Sequence, residues 1–146
     1  MKTIVLLFLT LSSSLFTQPR WQSNFDNAKA EAKRDNKPII LNFSGSDWCG
    51  PCIKMTRDIF DKDTFINYAN SHLVMVRADF PRSKKNQLDP KQIKHNEVLA
   101  EKYNPQGKFP LTLLLDANGK ILKTWDGFKS GTPEDFIKQI NQTIGN

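Results

Sequence analysis

The sequence predicts a single α/β domain, a central mixed β-sheet with helices on both faces. Three observations carry that prediction. Segments of helix and strand character follow one another in the order helix, strand, helix, strand, helix, hairpin, helix. The pair Asn118-Gly119 sits between two late apolar runs and marks them as a hairpin. A chain of 146 residues, 38% hydrophobic and with ten phenylalanines, can bury one substantial core but is short for two domains.

The first residues do not belong to that domain. Met1-Lys2 precedes the apolar run IVLLFLTL and then the small residues Ser12 to Ser14, the layout of a secretory leader over residues 1–17, cut after Ser14 or Thr17. The run falls short of the roughly 20 apolar residues that span a bilayer, so cleavage is expected and the mature protein carries no transmembrane segment. No cysteine follows the run to take a lipid. The chain is therefore expected to be exported, periplasmic or secreted, with its domain over residues 21–146.

Each element has its own signal. Phe25 to Lys37 is rich in helix formers and places Phe25, Ala28 and Ala32 on one face. Pro38 to Ser44 (PIILNFS) is a short apolar, β-branched run and reads as a buried central strand. Pro51 to Phe60 spaces Cys52, Met55, Ile59 and Phe60 as a helix, with proline in the first turn. Asp63 to Ser71 reads as a helical turn or two starting at an acidic cap. His72 to Phe80 is a second strand, Pro81 to Lys91 a basic and polar loop, and Lys91 to Tyr103 a helix broken by Asn104 to Pro110. Leu111 to Gly127 is the hairpin. Thr132 to Ile144 begins with Thr at the cap and Pro next, and its apolar face is Phe136, Ile137, Ile140 and Ile144. Trp125, Phe128, Phe136 and Ile140 read as core.

The net charge of +6, from 21 basic and 15 acidic residues, forms no recognition stripe, so no nucleic-acid partner is expected. The densest basic stretch, Arg82 to Lys85, reads as a solvated loop. Both cysteines lie in SGSDWCGPCIKM, residues 44–55, at the strand-to-helix junction. As a staple the pair would contribute little, because the loop it closes is very short. As a zinc site it lacks two ligands, and His72 and His95 are distant in sequence. As a redox pair it is well placed. Unpaired N–H groups and the dipole at the helix start favour a thiolate at Cys49. Cys52 is then near enough to attack a mixed disulfide formed there.

The five residues Trp48 to Cys52, WCGPC, resemble the active-site signature of the thioredoxin family. The resemblance covers residues 21–146, including the preceding strand, the following helix, a proline before the hairpin and the last helix. It implies the thioredoxin fold and a thiol-disulfide oxidoreductase with no bound cofactor or metal beyond a redox-active Cys49–Cys52 disulfide. It further implies that Pro110 is a cis-proline beside the cysteines, that the Phe109 backbone contacts substrate, and that Trp48 walls the site. Similar proteins with Gly50-Pro51 between the cysteines are generally reductants. The expected activity is reduction or isomerisation of disulfides in exported proteins, recharged by a membrane thiol-disulfide donor. The rivals are an oxidase that introduces disulfides and a non-catalytic binding module, chaperone or metal carrier.

Two departures accompany the resemblance. Where the family buries a carboxylate this chain has Asn42, and the partner lysine falls on Met75, so both charges are expected to be lost together; Asp47 is the alternative proton acceptor. The interval from Asp79 to Pro110 is also longer than a minimal member uses. Its extra segment, Phe80 to about Lys94, is a candidate substrate or partner surface.

Overall fold

The structure is a computed structural model that describes residues 20–145; the expected leader, residues 1–17, lies outside them. The elements in chain order are β1 (Trp21–Gln22), α1 (Phe25–Asp35), β2 (Ile39–Ser44), α2 (Gly50–Met55), α3 (Asp63–His72), β3 (Val74–Asp79), α4 (Pro90–Tyr103), β4 (Leu111–Leu115), β5 (Ile121–Asp126) and α5 (Pro133–Ile144). A π-helical segment, Thr56–Phe60, continues α2, and a short 3₁₀ turn, Lys84–Asn86, interrupts the basic loop.

The five strands form one sheet in the order β1-β3-β2-β4-β5. Strands β1, β3 and β2 run parallel, while β4 is antiparallel to both β2 and β5. Every residue of β2 is buried, as its largely apolar run suggests for a central strand covered on both faces. Alternation along the strands then divides the core in two. Ile39, Leu41, Phe43, Val76 and Leu113 pack against α1 and α4. Ile40, Met75 and Leu114 face the opposite way, against α2, α3 and α5 with Phe60, Phe65 and Phe136. Phe136 and Ile140 are buried as expected, and Trp125 and Phe128 pack half-buried beside them.

Capping explains most helix starts. Asn24 accepts from the Asn27 amide, Asp89 from Lys91 and Gln92, and Thr132 from Asp135. The expected acidic cap at Asp63 is corrected: Asp63 is the first helical residue, and Lys62 precedes it without a side-chain cap. His72 ends α3 rather than opening β3. The hairpin turns at Gly119, whose φ of +88° explains the Asn-Gly pair, and the Asp116 carboxylate accepts from the Asn118 and Lys120 amides. Among the described residues no helix is long and apolar enough to cross a membrane.

Candidate active site

Because β2 is central and ends at Ser44, the loop after it emerges at the carboxyl end of the sheet, and α2 starts from there. Cys49 is the N-cap of α2, with extended backbone angles, and its Sγ accepts the Cys52 amide at 3.3 Å. The cysteine sulfur thus takes the place that a serine or aspartate oxygen takes at other caps. The two cysteines are bonded to each other, their Cα atoms 5.2 Å apart, so this is the oxidised form. Both are buried, whereas Gly50 and Pro51 between them are exposed and no atom lies within 4 Å of where a Gly50 Cβ would be.

The Phe109–Pro110 peptide bond is cis, the isomer the resemblance implied, and Pro110 is buried immediately before β4. Phe109 meets the Trp48 indole edge to face at 5.4 Å, and Phe80 meets Phe109 at 5.5 Å. Trp48 is fixed from several sides. Its Nε1 donates to the Phe80 carbonyl at 2.7 Å, and the Arg82 guanidinium lies 3.7 Å from the ring centroid. The ring also lies so close to Gly45 that an added Cβ would come within 2.3 Å of it. Gly45→Ala is therefore expected to displace the indole and break its bond to Phe80, costing about 1–3 kcal/mol as an overpacked contact does. Altered tryptophan fluorescence with a lowered exchange rate would register this; an unchanged spectrum would contradict it.

Asp47, the expected alternative proton acceptor, is tied to the basic loop. Its carboxylate accepts from the Arg82 and Ser83 amides and from Asn86 Nδ2, each at 2.9 Å. The Arg82 amide above all, then Asn86 and Ser83, holds its carboxyl below the usual carboxylate range. These hydrogen bonds favour the carboxylate form and tie Asp47 to the basic loop. Within Arg82 to Lys85, read as a solvated loop, Lys84 and Lys85 are exposed while the exposed Arg82 also lies over the Trp48 ring.

Asn42 is buried under α2 and donates to Thr112 Oγ1, its register partner on β4, at 3.0 Å; the Thr112 hydroxyl in turn points to Met55 Sδ at 3.7 Å. The β2–β3 register places Arg77, not Met75, opposite Asn42, and pairs Met75 with Ile40. Arg77 turns its guanidinium onto Trp21, 4.0 Å from the ring centroid, and donates to Thr56 Oγ1 at 3.4 Å. Its Nε is buried without a partner, and burial lowers its pKa against the opposing pull of Asp79 and Asp61.

The histidines are elsewhere. His95 accepts the Phe25 amide at the start of α1, and His72 stacks on Tyr68. Among the described residues no group of His, Cys, Asp or Glu side chains could hold a metal ion. Phe80 and Arg82 lie in the segment expected as a candidate surface, but with no periodicity there the sequence does not announce their contacts with Trp48.

Comparison with known proteins agrees with this geometry. A thioredoxin-like family model matches residues 20–117. The disulfide bond reductase DsbH of Chlamydia pneumoniae is 37% identical over 125 residues, covering 86% of this chain and 72% of that protein. A solved structure of a DsbH oxidoreductase superposes with a TM-score of 0.80 at 30% identity, covering 99% of this chain and 95% of the other. A thioredoxin from Thermus thermophilus shares the fold, with a TM-score of 0.63 at 15% identity over 88% of each chain.

Proposed function

This chain belongs to the thioredoxin-like family and is a thiol-disulfide oxidoreductase; from that premise we propose that it reduces or isomerises disulfides in exported proteins, Cys49 attacking and Cys52 resolving. The observation that supports this assignment of roles is the Cys49 sulfur at the N-cap of α2, accepting the Cys52 amide. In the reduced protein the same position offers a thiolate an N–H donor and the positive end of the helix dipole.

The exchange then proceeds in two steps. The Cys49 thiolate attacks one sulfur of a substrate disulfide, forming a mixed disulfide and releasing the other substrate sulfur as a thiolate. Cys52, deprotonated, attacks the Cys49 sulfur; the Cys49–Cys52 bond forms and the second substrate thiolate leaves. Two electrons pass to the substrate and the pair is left in the bonded form seen here. A thiol donor must restore it, and for an exported protein that donor is a membrane thiol-disulfide carrier.

The side chains around the cysteines fit these roles. Trp48 and Phe109 form an apolar wall, and cis-Pro110, which has no N–H of its own, is set beside them. Asn42 and Thr112 satisfy each other beneath α2, so Cys52 has no buried carboxylate at Asn42 to take its proton. Export rests on the leader at residues 1–17, and reduction on the Gly50-Pro51 dipeptide together with the reductase named among the relatives.

The deciding experiment is a redox titration of the Cys49–Cys52 pair against glutathione or dithiothreitol, combined with insulin reduction. A potential near thioredoxin's roughly −270 mV with catalysed insulin reduction supports the reductase. A potential near −120 mV would make the protein an oxidase. No catalysis above the thiol background would leave a binding module.

A further inference from the structure

The extra segment after β3 is held against the active site by the two residues that precede Cys49. Asp47 accepts the amides of Arg82 and Ser83 and the Asn86 side chain, and Trp48 donates to the Phe80 carbonyl. Four hydrogen bonds thus fix the backbone from which the Arg82 side chain springs. The guanidinium lies over the Trp48 ring at 3.7 Å, and among the described residues no carboxylate pairs with it. Lys84 and Lys85 follow on the same loop, both exposed.

A guanidinium resting on an aromatic face spends that face on the ring, while its N–H groups lie in the guanidinium plane and remain available at the edge. That fork matches a carboxylate in two parallel hydrogen bonds, and the stacking holds it oriented beforehand. Trp48 is the neighbour of Cys49, so a peptide whose disulfide is exchanged there runs past Arg82 within a few residues of its own cysteine.

We propose that Arg82 is a specificity-determining residue that selects substrate segments carrying an aspartate or glutamate close to the disulfide being exchanged. This rests on the exchange chemistry assigned to Cys49. The contact forms with substrate, adds binding at the rim and leaves the sulfur chemistry to the cysteines.

The test uses the full mature chain and synthetic peptides with one disulfide, flanked on either side by Asp, Asn or Lys. For the unmodified protein the expected kcat/KM ratio of Asp-flanked to Asn-flanked peptide is roughly three- to tenfold, carried mainly in KM and shrinking with added salt. Arg82→Gln brings the ratio close to one, Arg82→Lys keeps part of it, and Arg82→Glu inverts the order in favour of the Lys-flanked peptide. A flank preference that survives Arg82→Gln, equal loss on all peptides in the variants, or no preference in the unmodified protein overturns the inference. Turnover that ignores the flank overturns it alone. Failure to turn over any peptide overturns the exchange chemistry and this inference with it.

Discussion

Cys49→Ser abolishes disulfide turnover, bringing insulin reduction to the rate of the chemical thiol alone, while Cys52→Ser stops after one step and accumulates a mixed disulfide with substrate. The asymmetry follows from position. Cys49 is the N-cap and faces the exposed Gly50-Pro51 turn, whereas Cys52 lies inside the first turn of α2, less exposed still. A serine hydroxyl can take over the cap, so the Cys49→Ser protein is expected to fold. It lacks the nucleophile. In the Cys52→Ser protein the nucleophile remains but nothing resolves its product, and non-reducing electrophoresis of an exported-protein extract would show adducts that collapse with reductant. Equal adduct yield from both variants would contradict the assignment of roles.

Phe60→Ala is expected to cost about 3–5 kcal/mol, a large share of the 5–15 kcal/mol by which a domain is stable. Phe60 is fully buried and ends the π-helical continuation of α2. Its ring meets Trp21 at 5.2 Å, Phe65 at 5.3 Å and Phe136 at 6.0 Å, so it joins the active-site helix to β1, α3 and α5 at once. Truncation leaves a cavity bounded by three aromatic rings that cannot all move in, and removes one of the two faces beside the half-buried Arg77 side chain. Urea unfolding followed by circular dichroism measures the loss. A destabilisation below about 1 kcal/mol would mean that this half of the core packs without Phe60 as its centre.

The fold was legible wherever burial dictates residue type. The run IILNF in β2 can be almost wholly apolar, with Asn42 as its one polar residue, because both faces of the central strand are covered, and the same logic marks β4. Thr132-Pro133 and Asn118-Gly119 announce a helix start and a turn through backbone requirements that few other residues meet. The two-residue β1 is too short to show any period, and Asp63 and His72 shift by a residue or two at helix ends, where competing signals overlap.

The site was legible in the same uneven way. WCGPC marks the cysteines and their helix through residues adjacent in sequence, and the resemblance it carries is what implied the cis-proline at Pro110. Arg77 was not singled out because its relation to Asn42 is a matter of strand register, which aligning on Asp79 does not recover. The contacts of Phe80 and Arg82 with Trp48 were not legible for a related reason, although the segment that begins at Phe80 stood out by its length. A polar loop carries no periodicity, and only Asp47 and Trp48, more than thirty positions away, determine where it lies.

The central claim is that the start of α2 makes the Cys49 sulfur unusually acidic. The most direct test is the rate of alkylation of Cys49 by iodoacetamide in the reduced protein as a function of pH, read by mass spectrometry of the labelled peptide. The account predicts a single rise centred well below the roughly 8.5 of a free thiol, within the span of about 3.5 to 7.5 known for cysteines at helix starts, with Cys52 labelled far more slowly. A profile for Cys49 centred near 8.5, or Cys52 reacting first, would contradict it.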